Sequence, residues 1–146
     1  MRFLTDDDYN TLIRTEIKNI LLEDYTPQKL LLGENMAVAQ IKNYLKSKYD
    51  IDAIFTGYNP LPDPDPRDSY ILMITIACTL YHVYSSIAPN LIPEHRAQRY
   101  QDALDWLRQV SKGEVLADLP LLTDGNNQVV SDIRIKSKYA PDNHKW

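Results

Sequence analysis

The sequence predicts a mainly α-helical protein: a four-to-five-helix domain over residues 1–119, followed by an extended C-terminal arm over 120–146. Three observations carry this expectation. Apolar residues recur at helical spacing in four separate stretches, capping residues and prolines stand at the edges of those stretches, and only four glycines loosen a chain that holds nine prolines. At 146 residues the chain suits one domain, which at this size buries roughly two-thirds of the surface its unfolded form exposes.

The first helix is expected to open at Thr5-Asp6-Asp7-Asp8. A hydroxyl caps free backbone N–H groups there, the carboxylates complement the positive end of the helix dipole, and Asp8 takes the place of a capping-box glutamate. Tyr9, Leu12, Ile13, Ile17, Ile20 and Leu21 then recur at helical spacing and make one buried stripe.

Pro27 interrupts that pattern, and a second helix is expected around 33–49, with Gly33 blurring its start and Ala37, Ile41, Tyr44 and Leu45 as its apolar stripe. The segment Gly57 to Pro66 holds four prolines and two aspartates, Asp63 and Asp65, so it reads as an extended, exposed loop. Tyr70 to Tyr84 is apolar nearly all round, which predicts the buried central helix; fifteen residues without a turn signal are too many for an ordinary strand. In the fourth helix Pro93 falls in the first turn, Ala97, Tyr100, Ala103, Leu104, Leu107 and Val110 share a face, and Gly113 supplies the stop.

Beyond Gly113, residues Leu116 to Leu122 and Val129 to Lys136 read as two short extended segments about the turn-forming Asp124-Gly125-Asn126-Asn127, a possible short β-hairpin.

Charge and composition narrow the function. With 16 Lys+Arg against 20 Asp+Glu the net charge is -4, which gives no general footprint for nucleic acid or an anionic membrane. One cysteine, Cys78, cannot form an intrachain disulfide and fits folding in a reducing compartment. Three aspartates close to Met1 speak against a secretory signal peptide. Ser69 to Asn90 lacks Lys, Arg, Asp and Glu, but it carries Thr75, Thr79, His82, Ser85 and Ser86, and its dense apolar part, Tyr70 to Tyr84, rises only about 22 Å against a hydrocarbon core of about 30 Å. Burial in a helical domain is the expectation, with no membrane partner.

The chemical motifs are few. Cys78 and His82 lie four apart and would share a helix face, but two candidate ligands do not make a zinc site and neither His95 nor His144 is spaced to complete one. Asp63, Asp65 and Asp68 alternate with prolines without the glycine turn and closing glutamate of a calcium loop. No phosphate-binding glycine loop or nucleophile elbow occurs. The residues therefore predict no catalytic centre, metal or cofactor. In the tail, Arg134, Lys136, Lys138 and Lys145 interleave with Tyr139 and Trp146. That pattern allows a second reading, a helical nucleic-acid-binding module, although Asp124, Asp132 and Asp142 dilute the charge and favour docking to protein.

In order along the chain, Phe3-Leu4-Thr5-Asp6-Asp7-Asp8, Tyr44-Leu45-Lys46-Ser47-Lys48-Tyr49, the apolar Ile76 to Tyr81 helix, and Pro93 to Leu107 closed by Lys112-Gly113 resemble the Mu-like phage family of small head–tail joining proteins. Lys48 stands where that family usually has arginine, and the Gly57 to Pro66 loop and the tail after Pro120 fall outside the resemblance.

The resemblance implies a helical connector protomer without enzymatic activity. Such protomers stack as a homo-oligomeric ring of roughly a dozen copies under the portal protein in the virion neck, assembled in the host cytoplasm. The ring passes packaged DNA without sequence-specific binding and presents a surface to a tail-completion protein. Thr5, Asp6, Tyr44, Tyr49, Arg99, Tyr100, Ala103, Leu107 and Gly113 are then the structural motif positions. Asp63 and Asp65 in the loop, with Ile133, Arg134, Ile135, Lys136, Tyr139 and Trp146 in the arm, are the expected contacts with neighbouring subunits or the portal.

Overall fold

The computed structural model describes residues 2–9, 27–87 and 89–123. It is mainly helical, as the sequence predicts. Its helices are α1 (Pro27–Leu45), α2 (Ile51–Ile54), α3 (Ser69–Ile87) and α4 (Glu94–Ser111), with a 3-10 turn at Pro89–Leu91. Residues 6–9 are also helical; the remainder of the expected first stripe lies outside the described residues.

The N-terminal cap forms as its residues dictate. The Thr5 N–H donates to Asp8 Oδ2 at 2.7 Å and the Asp8 N–H to Thr5 Oγ1 at 3.3 Å, a reciprocal capping box with aspartate in the glutamate position.

α3 is the centre of the molecule. Ile71, Ile74 to Leu80, Val83 and Tyr84 are buried, and the helix packs against both α1 and α4. Its hydroxyls are satisfied locally: Thr75 Oγ1 donates to the Ile71 carbonyl at 2.6 Å and Thr79 Oγ1 to the Thr75 carbonyl at 2.7 Å. By length and composition alone this helix could cross a membrane; within the fold, ten of its nineteen residues are buried.

α1 begins earlier than its apolar stripe suggests. Pro27 opens the helix rather than interrupting one, and Gly33 lies inside it instead of at its start. Packing explains the glycine: a Cβ at Gly33 would stand 2.7 Å from Val83 Cγ2 and 3.2 Å from the Thr79 carbonyl oxygen, so its absence lets α1 approach α3 closely. Leu30, Ala37, Ile41 and Leu45 form the buried stripe, and Tyr44 packs half-buried beside it.

The helix also stops short of Tyr49. Tyr49 instead forms an isolated antiparallel bridge with Leu121, because the Asp50 N–H donates to the Pro120 carbonyl and the Leu122 N–H to the Lys48 carbonyl, each at 2.9 Å. Asp50 then caps the single turn of α2 by accepting the Ala53 N–H at 3.1 Å.

Residues 57–66 form neither helix nor strand and are mostly exposed, as their prolines require. α4 runs antiparallel to α3, since Tyr81 stacks on Tyr100 while Tyr70 meets Trp106. Pro93 sits at its N-cap, one position before the expected first turn. At the other end Gly113 adopts φ +80°. Its N–H donates to the Val110 carbonyl and the Glu114 N–H to the Gln109 carbonyl, the paired closure that a left-handed residue makes possible.

The expected extended segment Leu116 to Leu122 is not a continuous strand: the chain bends at 115, 118 and 119 and pairs only at the Leu121 bridge. Val115, Ala117, Leu119 and Leu121 pack on the core while Leu116 is 74% exposed. The Asp124–Asn127 turn and the second extended segment, Val129 to Lys136, lie outside the described residues.

Candidate functional site

The most highly connected polar side chain among the described residues is Arg67, at the exit of the proline loop, with 2% of its side chain exposed. All five guanidinium N–H donors are engaged. Nη1 donates to Asp8 Oδ2 at 2.7 Å and to the Phe3 carbonyl at 2.9 Å; Nη2 donates to Asp8 Oδ1 at 3.0 Å and Asp65 Oδ2 at 2.7 Å; Nε donates to Asp65 Oδ1 at 3.0 Å. The cation also lies 5.7 Å from the centre of the Phe3 ring.

These contacts tie the N-terminal segment to the loop. Burial pulls the Asp8 carboxyl upward, but the Arg67 hydrogen bonds and charge with the Thr5 N–H outweigh it, so Asp8 titrates below its ordinary range. Asp65 is likewise held low, chiefly by Arg67. The two carboxylates in turn raise the guanidinium, which stays charged.

A second buried ion site lies on α1. The Glu34 carboxylate is 5% exposed and accepts from both Arg2 Nη2 and Arg2 Nε, the latter at 3.1 Å, and from the Tyr9 hydroxyl at 2.8 Å. Burial and the neighbouring Glu34 charge hold the Tyr9 phenol well above its ordinary value. The N-terminal segment is therefore fastened twice, through Asp8 to the loop and through Arg2 and Tyr9 to α1.

A polar seam crosses the α1, α3 and α4 junction. Gln40 Nε2 donates to the Tyr100 hydroxyl, and Gln40 Oε1 faces His82 Nε2, both at 2.9 Å. Tyr100 stacks face to face on Tyr81 at 3.9 Å between centroids. Burial lowers the His82 pKa and pushes the Cys78 thiol up to about 12. Cys78 is thus a neutral, fully buried core group. Among the described residues no group of three or more His, Cys, Asp or Glu is placed to hold a metal.

The structure sorts the predicted site residues. Thr5 caps the N-terminal helix and Asp6, exposed, pairs with Arg2. Tyr49, Ala103 and Leu107 are core, and the Tyr49 hydroxyl accepts the Ala117 N–H at 3.2 Å. Arg99 is exposed, as is Asp63, whereas Asp65 is committed to Arg67. Ile133, Arg134, Ile135, Lys136, Tyr139 and Trp146 lie outside the described residues. Sequence reasoning missed Arg67 and Glu34; the only local signal was an arginine directly after an acidic proline loop.

Among the described residues the exposed large apolar side chains are Leu31, Leu32 and Met36 on α1, Tyr70 and Met73 at the start of α3, Leu91 in the 3-10 turn and Leu116 after α4.

A protein-family model described as Bacteriophage Mu, Gp36 matches residues 4–131, most of the chain. No curated protein and no solved structure matches.

Proposed function

Because this chain belongs to the bacteriophage Mu Gp36 family, we propose that it is a structural, non-enzymatic head–tail connector, a protomer of a ring below the portal that extends the DNA channel and docks the tail. The family match over residues 4–131 carries this reading. It spans the whole helical body and runs past Thr123 into the tail.

The geometry supports it in kind. A connector protomer must hold its shape while neighbours bear on it, and here the N-terminal segment, the proline loop and the 115–121 segment are all fastened to the helical body by hydrogen bonds. In this proposal the body makes the ring, and the loop and the arm after Pro120 reach neighbouring subunits, the portal or the tail-completion protein. Packaged DNA passes without sequence-specific contact.

The test is a particle experiment. A phage lacking this chain is expected to yield filled heads and finished tails that do not join, with joining restored by the full-length protein and a ring of it visible at the neck. Joined, infectious particles without the chain would overturn the reading. A variant ending at Thr123 is expected to fold, judged by its helical circular dichroism, yet not to restore joining. Full restoration would remove the arm from the mechanism.

A further inference from the structure

Four residues of the N-terminal segment, in two neighbouring pairs, divide between two partners. Arg2 and Tyr9 hold the Glu34 carboxylate of α1, whereas Phe3 and Asp8 hold the two ends of the proline loop. At the loop entry the Phe3 ring meets the Phe55 ring edge-on, 4.9 Å between centroids. At the exit the Phe3 carbonyl and the Asp8 carboxylate both accept from Arg67. Both ends of the loop therefore rest on one residue, Phe3.

The loop between these ends is stiff and lightly tied. Pro60, Pro62, Pro64 and Pro66 lock the backbone at every second position, and among the described residues no backbone hydrogen bond joins residues 57–64 to the helical body. A stiff segment held at its base moves as a lever, so a displacement of its tip is felt at Phe55 and Arg67.

We propose that residues 2–9 are a strap that couples the proline loop to α1: a partner engaging the loop alters the hold on Glu34, and release of that hold frees the loop.

Adjacency in the chain makes the coupling. Thr5 and Asp8 lock the segment into a capped turn, so Asp8 leaving Arg67 carries Tyr9 away from Glu34. At the other end Arg2 and Phe3 are joined in the same way. The fastened state dominates, because Phe3, Leu4 and Tyr9 are buried in it, and the released state is reached by an opening smaller than global unfolding. Coupling of this kind is reciprocal: whatever loosens one side loosens the other. It does not depend on whether the chain forms a ring.

Amide hydrogen exchange of the full-length protein under native conditions tests it. The reporters on the loop side are the Phe55 N–H, which donates to the Ile51 carbonyl at 3.0 Å, and the Arg67 N–H, which donates to Asp65 Oδ1 at 2.9 Å. Leu107, buried in α4, reports global opening. Tyr9→Phe keeps the ring in the core and removes only the hydroxyl that Glu34 accepts, a change confined to the α1 side of the strap. It is expected to speed exchange at both loop reporters by about two- to tenfold, the range for one lost hydrogen bond, with Leu107 unchanged. Phe55→Leu alters only the loop side and is expected to speed exchange of the Asp8 N–H, which lies in the capped turn.

Unchanged Phe55 and Arg67 rates in Tyr9→Phe would overturn the coupling. Equal acceleration at Leu107 and the loop reporters would show that the strap opens only with the whole fold, and would overturn it as well. An unchanged Asp8 rate in Phe55→Leu, with the variant folded as judged by Leu107, would remove Phe3 as the link.

Discussion

Arg67 and Asp8 are 59 residues apart in the chain and form a two-armed ion pair at 2.7 and 3.0 Å, with 2% and 10% of their side chains exposed. Asp8 simultaneously closes the capping box with Thr5, so one carboxylate both starts a helix and fastens it to the far end of the proline loop.

Arg67→Met is expected to destabilise the protein by about 3–5 kcal/mol, the range for leaving a buried charge without its partner. Asp65→Asn should cost less than about 1 kcal/mol, because a carboxylate 39% exposed keeps much of its water. Urea unfolding of both variants gives the comparison. Equal losses would mean that Arg67 serves the loop rather than the N-terminal segment.

Stability should fall in two stages as pH is lowered. The His82 pKa lies below its ordinary 6.5, so below that value the unfolded chain takes up the proton first and stability declines. Asp8 and Asp65 lie below their ordinary 3.8; their contribution is fully present above 3.8 and lost as pH falls through the folded values. His82→Gln should remove the upper stage, and Arg67→Met should flatten the lower one, in unfolding free energies measured across pH. An unchanged profile in either variant would reject that assignment.

Gly33→Ala pits helix propensity against packing. Alanine is favoured by about 1 kcal/mol in a helix interior, but its methyl would stand 2.7 Å from Val83 Cγ2 and 3.2 Å from a backbone carbonyl. Overpacking typically costs about 1–3 kcal/mol, so a net loss is expected. Pairing it with Val83→Ala should recover part of that loss in thermal unfolding, beyond the sum of the single effects. Strict additivity would place the strain elsewhere.

Tyr49→Phe keeps the ring and removes the acceptor of the Ala117 N–H. The expected loss is about 0.5–1.5 kcal/mol, with faster amide exchange at Ala117 than at Leu122, whose partner is the Lys48 backbone. Uniform acceleration through 115–122 would instead mean that the segment opens as one unit.

Local chemistry was legible in the sequence. Thr5 with Asp8, Pro93 and Gly113 mark helix ends by bonds within a few residues, and the apolar run in α3 identifies the centre by its own composition. Long-range chemistry was not. Gly33 reads as a blurred start because its reason is Val83, fifty residues on, and helix α1 overruns its apolar stripe because Pro27 suits a first turn. Arg67 and Glu34 look like ordinary surface charges until the fold brings Asp8, Arg2 and Tyr9 to them. Tyr49 looks helical until Leu121 pairs with it.

The central helix also sets a problem of timing during synthesis. Until it is covered, Ser69–Ile87 exposes a helix whose ten buried positions need a partner surface. The chain is made from its N-terminus, so α1, with the glycine that admits α3 closely, is already outside the ribosome when α3 emerges. One of the two helices that flank α3 is therefore waiting for it. A variant in which α1 cannot dock should lose more than stability: its newly made α3 would stay uncovered until α4 is made, and the aggregated share of the product should rise.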